Sequence, residues 1–331
     1  MTAAVLTGLG TALPARLVTN EELSTRLDTT DEWIRTRTGI GQRFWSSGES
    51  TGDLAAAAGE RALAAARVSE VDMVVLATTT PDHPCPATAP EVASRLGLGH
   101  AAAFDIAAVC SGFVYALAIA SAAISAGLTG RALVIGAETY STILDPEDRS
   151  TSVIFGDGAG AVVLEPGEAG APGSFAGFDL GSDGAGRELI QVPGGGSRER
   201  TGADGAEGRY FTMRGKAVFK EAVTRMAGSA SKLLASVGWA KDSVDLLVGH
   251  QANTRILHAL ADHLGVPRES VVVDLDRVGN TSAASIPLAL ARAAAEHRLR
   301  PGDRVLLSAF GGGLTWGSTA LVWPELPIGT H

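Results

Sequence analysis

The sequence is short of cysteine, of basic charge and of long apolar runs, and each shortage excludes something. Only Cys85 and Cys110 occur in 331 residues, too few for a disulfide framework or a CxxC metal site. Lys and Arg number 27 against 36 Asp and Glu, and the resulting net charge of −9 argues against nucleic acid as a partner. The apolar runs AVVLE, VVVDL and VLLSAF all fall far short of the roughly 18 residues of a membrane span. The opening MTAAVLTGLGTALPAR lacks the basic start and sustained apolar core of a signal peptide. A cytoplasmic protein with no membrane partner is expected. Metal ligation is not expected either: there is no HExxH, and His258 and His263 read as ordinary helix residues.

What is present is a 45% hydrophobic chain in which short Val-, Ile- and Leu-rich runs alternate with Ala-rich helical stretches. That is the pattern of an α/β protein with buried strands. The pattern occurs twice. VDMVVLATTT (71–80) leads through FDIAAVCSGFVYALAIASAAISAG to RALVIGAET and FGDGAGAVVLEP; VDLLVGHQAN (244–253) leads through VVVDLDRVGNTSAASIPLALARAAAEH to DRVLLSAFGGG and TWGSTALVWPE. Two copies of one βαβ-based unit follow from this echo, an N-terminal half over 1–170 and a C-terminal half over 171–331. The boundary falls in the glycine-rich segment between Leu164 and Gly208.

Cys110 lies at a strand-to-helix junction of the first copy, and Gly279–Asn280 occupies what reads as the matching junction of the second. Ligands of parallel sheets collect beyond the carboxyl ends of strands, beside helix N-termini. Two copies packed about a pseudo-twofold axis would bring Cys110 and Asn280 to one cleft, with His250 opening into it from the run VDLLVGH. A helix N-terminus favours a thiolate by at most about 2 kcal/mol, so His250 is expected to help ionise the thiol. A lone Cys110 would otherwise be a small packed hydrophobe. The order Cys, His, Asn also occurs in papain-like proteases, but their C-G-[SA]-C-[WY] signature is absent. Here His and Asn could both donate hydrogen bonds to one thioester oxygen, which suits an enolate. AFGGGLTWGS (309–318) can bring backbone N–H groups close to a ligand, or simply turn. FGDGAGA (155–161) is followed by the strand-like AVVLEP and is no dinucleotide loop.

The segments DTTDEWIRTRTGI (28–40), FDIAAVCSGF (104–113), DPEDRST (145–151), IFGDGAGA (154–161), HQANTRI (250–256), GNTSAAS (279–285) and AFGGGLTWGS (309–318) together resemble β-ketoacyl-acyl carrier protein synthase III over nearly the full length. The resemblance implies a thiolase-like fold, with halves layered α-β-α-β-α. It implies an initiating decarboxylative Claisen condensation of an acyl-CoA starter with malonyl-acyl carrier protein through a cysteinyl thioester, in fatty acid synthesis or in priming a polyketide pathway. Cys110 would be the acyl-accepting nucleophile, and His250 and Asn280 would promote decarboxylation and hold the enolate oxygen. The N–H groups of Cys110 and Gly312 would form the oxyanion hole, and Phe155 would pack beside the sulfur.

No permanently bound cofactor is implied; coenzyme A enters as its thioester. Trp33 and Arg149 would sandwich the adenine, with Arg37 and Thr38 nearby and Gly215, Phe219 and Asn253 along the pantetheine arm. Arg214, Lys216, Lys220 and Arg255 would dock the acidic carrier protein, Lys216 standing where the family usually has Asn. Cys85 stands where acetyl-selective relatives carry a bulky aromatic that crosses a homodimer interface to floor the partner's acyl pocket. Tyr140 replaces an aliphatic residue near that pocket. A starter larger than acetyl is expected, since each buried methylene is worth about 0.8 kcal/mol. Acetyl-CoA priming and a non-decarboxylating acyltransferase are the alternatives.

Overall fold

The computed structural model of the chain describes residues 2–199 and 208–329, so residues 200–207 of the glycine-rich segment lie outside the described residues. Beside two small two-stranded sheets, the two main sheets are built from β1 (Thr2–Ala12), β2 (Met73–Ala77), β3 (Ala102–Ile106), β4 (Ala132–Glu138), β5 (Gly158–Glu168), β6 (Phe175–Ser182), β7 (Leu246–Gly249), β8 (Arg304–Gly311), β9 (Thr315–Val322) and β10 (Ile328–Gly329). One sheet runs β10-β1-β5-β4-β2-β3 and the other β7-β8-β9-β6. In the first, β3, β2 and β4 are parallel while β5 is antiparallel to both β4 and β1. The second repeats the plan: β7 and β8 are parallel, and β9 is antiparallel to β8 and to β6. The counterpart of β3 has shrunk to a single parallel bridge between Leu247 and Val271.

The principal helices are α1 (Asp31–Thr38), α2 (Thr51–Ala66), α3 (Gly112–Ser125), α4 (Gly215–Ser236), α5 (Thr254–Leu264) and α6 (Ser285–Ala295). Their placement follows from the period-2 alternation of the strands. Met73, Val75 and Ala77 of β2 face one core with α3, α6, Val305 and Leu307, whereas Val74 and Leu76 face another with α2. Leu306 and Phe310 of β8 face a third core with α4 and α5. The layers are therefore α2, first sheet, α3 with α6, second sheet, α4 with α5. Strands covered on both faces have no polar side to show, which is why they read as continuous apolar runs. The sequence of α3, GFVYALAIASAAIS, is apolar on every face because it lies between two sheets.

The duplication extends to single bonds. Asp72 Oδ2 accepts from Arg131 N at 2.8 Å, and Asp245 Oδ2 accepts from Arg304 N at 2.8 Å, so the paired Val-Asp openings are the same clasp made twice. Short 3₁₀ turns, Val109–Ser111 and Ser282–Ala284, precede α3 and α6. Val109 has φ +47° and Ser282 φ +48°, a left-handed conformation that costs a β-branched valine most. This match corrects the sequence reading of the junctions. The counterpart of Cys110 is Ala283, and Asn280 sits three residues before it.

Candidate active site

Cys110, His250 and Asn280 line one cavity, together with Tyr140, Phe155, Phe211, Met213 and Phe310, holding about 420 Å³ including its open mouth. Each of the three arrives by a different route. The 3₁₀ turn after β3 raises Cys110 to the start of α3, whose N-terminus has no side-chain cap. Ser111, the residue at that cap, turns its hydroxyl to Ala108 O and Thr315 Oγ1 instead. The Cα of Gly311 closes over this turn, where a Cβ would lie 2.8 Å from Cys110 N; Gly312 next to it faces Ile190. His250 follows the last residue of β7, its backbone held by Ser308 O. Asn280 is bonded into the first half: its N–H donates to Ile154 O at 2.9 Å and its carbonyl accepts from Gly156 N at 3.0 Å. Phe155 lies in a parallel bridge with it.

The side-chain bonds orient these groups. His250 Nδ1 meets Ser285 Oγ at 2.7 Å, and that hydroxyl also accepts from Gln251 N. When the serine donates its proton to Nδ1, the ring proton lies on Nε2. Asn280 Oδ1 accepts from Ser282 N at 2.9 Å, which leaves its Nδ2 as the outward donor. Burial holds the imidazole of His250 down at about 3, so at neutral pH it is an uncharged donor. An uncharged ring offers no positive charge to a thiolate at Cys110. Burial pushes the Cys110 thiol up to about 12, a hydrogen bond with Ser282 working against it and the charge of Glu138 adding to it.

A second chamber of about 940 Å³ is lined by Trp33, Arg37, Thr38, Gly215, Phe219 and Asn253. Met213, Val218, Ala252, Ile256 and Asn280 border both chambers, so the outer leads to the inner. Arg149 stays beside it, with its guanidinium 5.0 Å from the centre of the Trp33 ring and Arg37 at 4.7 Å. Arg149 also donates to the carbonyl of Asp28. The expected sandwich is thus closed on itself: cation–π contact leaves no gap between Trp33 and Arg149 for a third ring. Asn253 caps α5 through Oδ1 and donates from Nδ2 to Arg37 O at 2.9 Å, joining α5 to α1. Arg214, Lys216, Lys220 and Arg255 are all exposed, Arg255 donating to Thr36 O.

Tyr140 is fully buried, stacked on Phe155 with ring centres 4.4 Å apart and edge-on to Phe211. Its hydroxyl has no partner. Cys85 is exposed and lines neither chamber. Sequence reasoning missed Glu138, Ser282, Ser285 and Arg43. Glu138 could have been found as the one charge ending the apolar run RALVIGAE. Arg43 is wholly buried, donating to Asn20 Oδ1 at 2.7 Å and Val153 O at 2.6 Å, with Cβ against Gly156 and Gly279. Its sequence context, GIGQRFW, looks like a surface turn.

Comparison with known proteins follows the same lines. Residues 104–184 match the family model of 3-oxoacyl-[acyl-carrier-protein] synthase III, and residues 234–323 match that of its C-terminal region. The chain is 72% identical over 326 residues to β-ketoacyl-[acyl-carrier-protein] synthase III 5 of Streptomyces coelicolor, covering 98% of both. The crystal structure of 3-oxoacyl-(acyl carrier protein) synthase III from Pseudomonas aeruginosa superposes with TM-score 0.93 at 51% identity, covering 98% of this chain and 99% of that one. The priming β-ketosynthase of the R1128 polyketide pathway superposes with TM-score 0.92 at 36% identity, covering 98% and 97%. The duplicated halves are those of the thiolase-like fold, and the chain belongs to the β-ketoacyl-acyl carrier protein synthase III family of acyl-transferring condensing enzymes.

Proposed function

We propose that this chain starts chain assembly by joining an acyl-CoA starter to malonyl-acyl carrier protein, giving 3-oxoacyl-acyl carrier protein and CO₂. The observation that carries this reading is the convergence of Cys110, His250 and Asn280 on one cavity, reached from the chamber bordered by Trp33, Gly215, Phe219 and Asn253. In the first stage the Cys110 sulfur attacks the thioester carbonyl, and coenzyme A leaves as its thiol. The oxyanion is held by the N–H groups of Cys110 and Gly312, strengthened by the uncapped start of α3. In the second stage malonyl loses CO₂ and the enolate oxygen takes hydrogen bonds from His250 Nε2 and Asn280 Nδ2. The enolate carbon then attacks the cysteinyl thioester and frees the sulfur. A neutral imidazole serves this stage better than a charged one, since it donates without giving up a proton. Phe155 and Phe310 keep water from the enolate.

Coenzyme A is the substrate's carrier and no permanent cofactor is invoked. For adenine to be seated, Arg149 swings off the indole of Trp33, with Arg37 and Thr38 at the edge. The exposed cations Arg214, Lys216, Lys220 and Arg255 flank Gly215, Phe219 and Asn253 of the outer chamber in sequence and suit an acidic carrier protein. Lys216→Glu with Lys220→Glu should raise KM for malonyl-acyl carrier protein and leave that for acyl-CoA alone. The starter is proposed to exceed acetyl, with Tyr140, Phe155 and Phe211 walling the pocket and Cys85 of a second copy at its floor in a homodimer. The halves 1–170 and 171–331 are taken as the two thiolase-like units.

The test is purified protein with acyl-CoAs from two to eight carbons and malonyl-acyl carrier protein, followed by CO₂ and product mass. Coenzyme A release without CO₂ would point instead to a non-decarboxylating acyltransferase, and a clear preference for acetyl-CoA to ordinary initiation.

A further inference from the structure

The proposed second stage needs the carboxamide of Asn280 held still, because a donor misplaced by about 1 Å can cost about a hundredfold in rate. Asn280 follows the turn at Gly279 and leans on the extended segment 153–157, which behaves as a middle strand. On one edge, Ile154 O accepts from Asn280 N at 2.9 Å and Gly156 N donates to Asn280 O at 3.0 Å. On the other edge lies the short strand Gln42–Trp45. Asp157 N donates to Phe44 O at 2.8 Å, and Trp45 Nε1 donates to Phe155 O at 3.0 Å. Arg43 completes this edge, with Nη2 donating to Val153 O at 2.6 Å. Residues 153, 155 and 157 thus bond to the short strand while 154 and 156 bond to Asn280, the alternation of an extended chain.

Arg43 does more than close a ladder. It is wholly buried, and burial brings its guanidinium down only to about 10, so it is a cation at neutral pH. Its charge reaches the carboxylate of Asp31 through Asn20: Nη1 donates to Asn20 Oδ1 at 2.7 Å, and Asn20 Nδ2 donates to Asp31 Oδ1 at 2.7 Å. The stem lies against both glycines that flank the bridge between Phe155 and Asn280. A Cβ on Gly156 would come within 3.1 Å of Arg43 Cβ, and one on Gly279 within 3.0 Å. Head and stem therefore meet the chain at 153, 156 and 279, each within two residues of Phe155 or Asn280, and none of these lines the inner cavity.

We infer that Arg43 is a positioning residue for the second stage, bracing the bridge between Phe155 and Asn280 so that Asn280 Nδ2 stays on the enolate oxygen. This inference rests on the role proposed above for Asn280. An apolar side chain would fill the same space without the desolvation cost of a cation, so what arginine adds is direction. Hydrogen bonds from a charged donor are about twice as strong as neutral ones, and the rigid fork fixes Val153 O relative to Asn20 in one plane. The bonds that hold the other two groups run elsewhere: the Cys110 turn is tied through Ser111 to Ala108 and Thr315, and His250 to Ser308 and Ser285. Loss of Arg43 should therefore weaken the stage that uses Asn280 more than the acylation of Cys110.

The test compares Arg43→Met and Arg43→Lys with native protein in two single-turnover assays, coenzyme A release from acyl-CoA and CO₂ release from malonyl-acyl carrier protein. Positioning predicts that Arg43→Met slows CO₂ release by about 10- to 100-fold and leaves coenzyme A release near its native rate. Arg43→Lys, which keeps the charge without the fork, should recover part of the loss. A merely structural role predicts instead that both rates fall together with the folded fraction. The double variant gives a second readout: if Arg43 acts through Asn280, adding Arg43→Met to Asn280→Ala costs CO₂ release nothing further. Equal loss in both assays, or the full extra loss on top of Asn280→Ala, overturns the inference. Should Arg43→Met not fold, as judged by thermal unfolding, Arg43→Lys carries the same expectation of a smaller fall confined to CO₂ release. If native protein releases no CO₂, the condensing reading fails; if it does and Arg43→Met keeps the native ratio of the two rates, only the positioning role fails.

Discussion

The turns Val109–Ser111 and Ser282–Ala284 are built alike and used differently. Both sit at the N-terminus of a central helix, both begin with a left-handed residue, and both are buried between the sheets. One holds a sulfur at its second position; the other holds Ala283 there and places its polar groups at Asn280 and Ser282. Duplication thus supplied a pair of equivalent backbones, of which one carries the thiol proposed to accept the acyl group and the other the polar groups beside it. The lesson is that the backbone fixes where chemistry can be placed, and the side chain at each copy decides which part of it.

That comparison can be broken most severely at the sulfur. Cys110→Ala is expected to lose acyl-enzyme formation by about 10⁴-fold or more, measured by mass of the protein after acyl-CoA exposure. Adding Ala283→Cys to it should restore nothing, because the Ala283 side chain lies toward Gly112 and not the cavity. The next largest effect belongs to the donors. His250→Ala or Asn280→Ala should slow condensation by about 10²–10³-fold, the usual cost of one oxyanion donor, while acylation of Cys110 stays within a few-fold. Stopped-flow release of coenzyme A, set against CO₂ release, separates the two stages.

Smaller effects concern how the copies meet. A Cβ on Gly136 of β4 would land on the carbonyl of Ala283, whereas Gly228 inside α4 has open space around it. Gly136→Ala should therefore destabilise by about 1–3 kcal/mol through overpacking, and Gly228→Ala should stabilise by about 0.5–1 kcal/mol by restricting the unfolded chain. Denaturant titration of both gives the contrast directly. The last effect is a slope in pH. His250 holds no proton in the fold until pH nears about 3, yet its unfolded value is 6.5. Below that value the unfolded chain binds the extra proton, so stability falls with falling pH, by at most about 1.4 kcal/mol per unit. His250→Gln should flatten the slope between pH 6 and 4.

Much of this was legible in the sequence, for a definite reason. Strands buried on both faces must be apolar throughout, so the echo of VDMVVLATTT in VDLLVGHQAN survives as both composition and order. Cys110, His250 and Asn280 stand out as polar residues at the ends of such runs. What escaped notice lies off that pattern. Ser282 looks like any serine in GNTSAAS until its left-handed backbone is seen, and the proper partner of Cys110 is a featureless Ala283. Arg43 is invisible because a basic residue is read as exposed unless a fold is at hand to cover it. The closed stack of Arg149 on Trp33 could not be read at all, since a motif names two side chains without their separation.

The wall shared by the two chambers has a last consequence. Met213, Val218, Ala252, Ile256 and Asn280 belong to outer hall and inner room alike, so a pantetheine arm lying in the first blocks the doorway to the second. If coenzyme A and the carrier protein both enter by this route, as proposed, two donors cannot be inside together: coenzyme A has to depart before the carrier protein can deliver its cargo, and either spent arm, by lingering, holds up the queue.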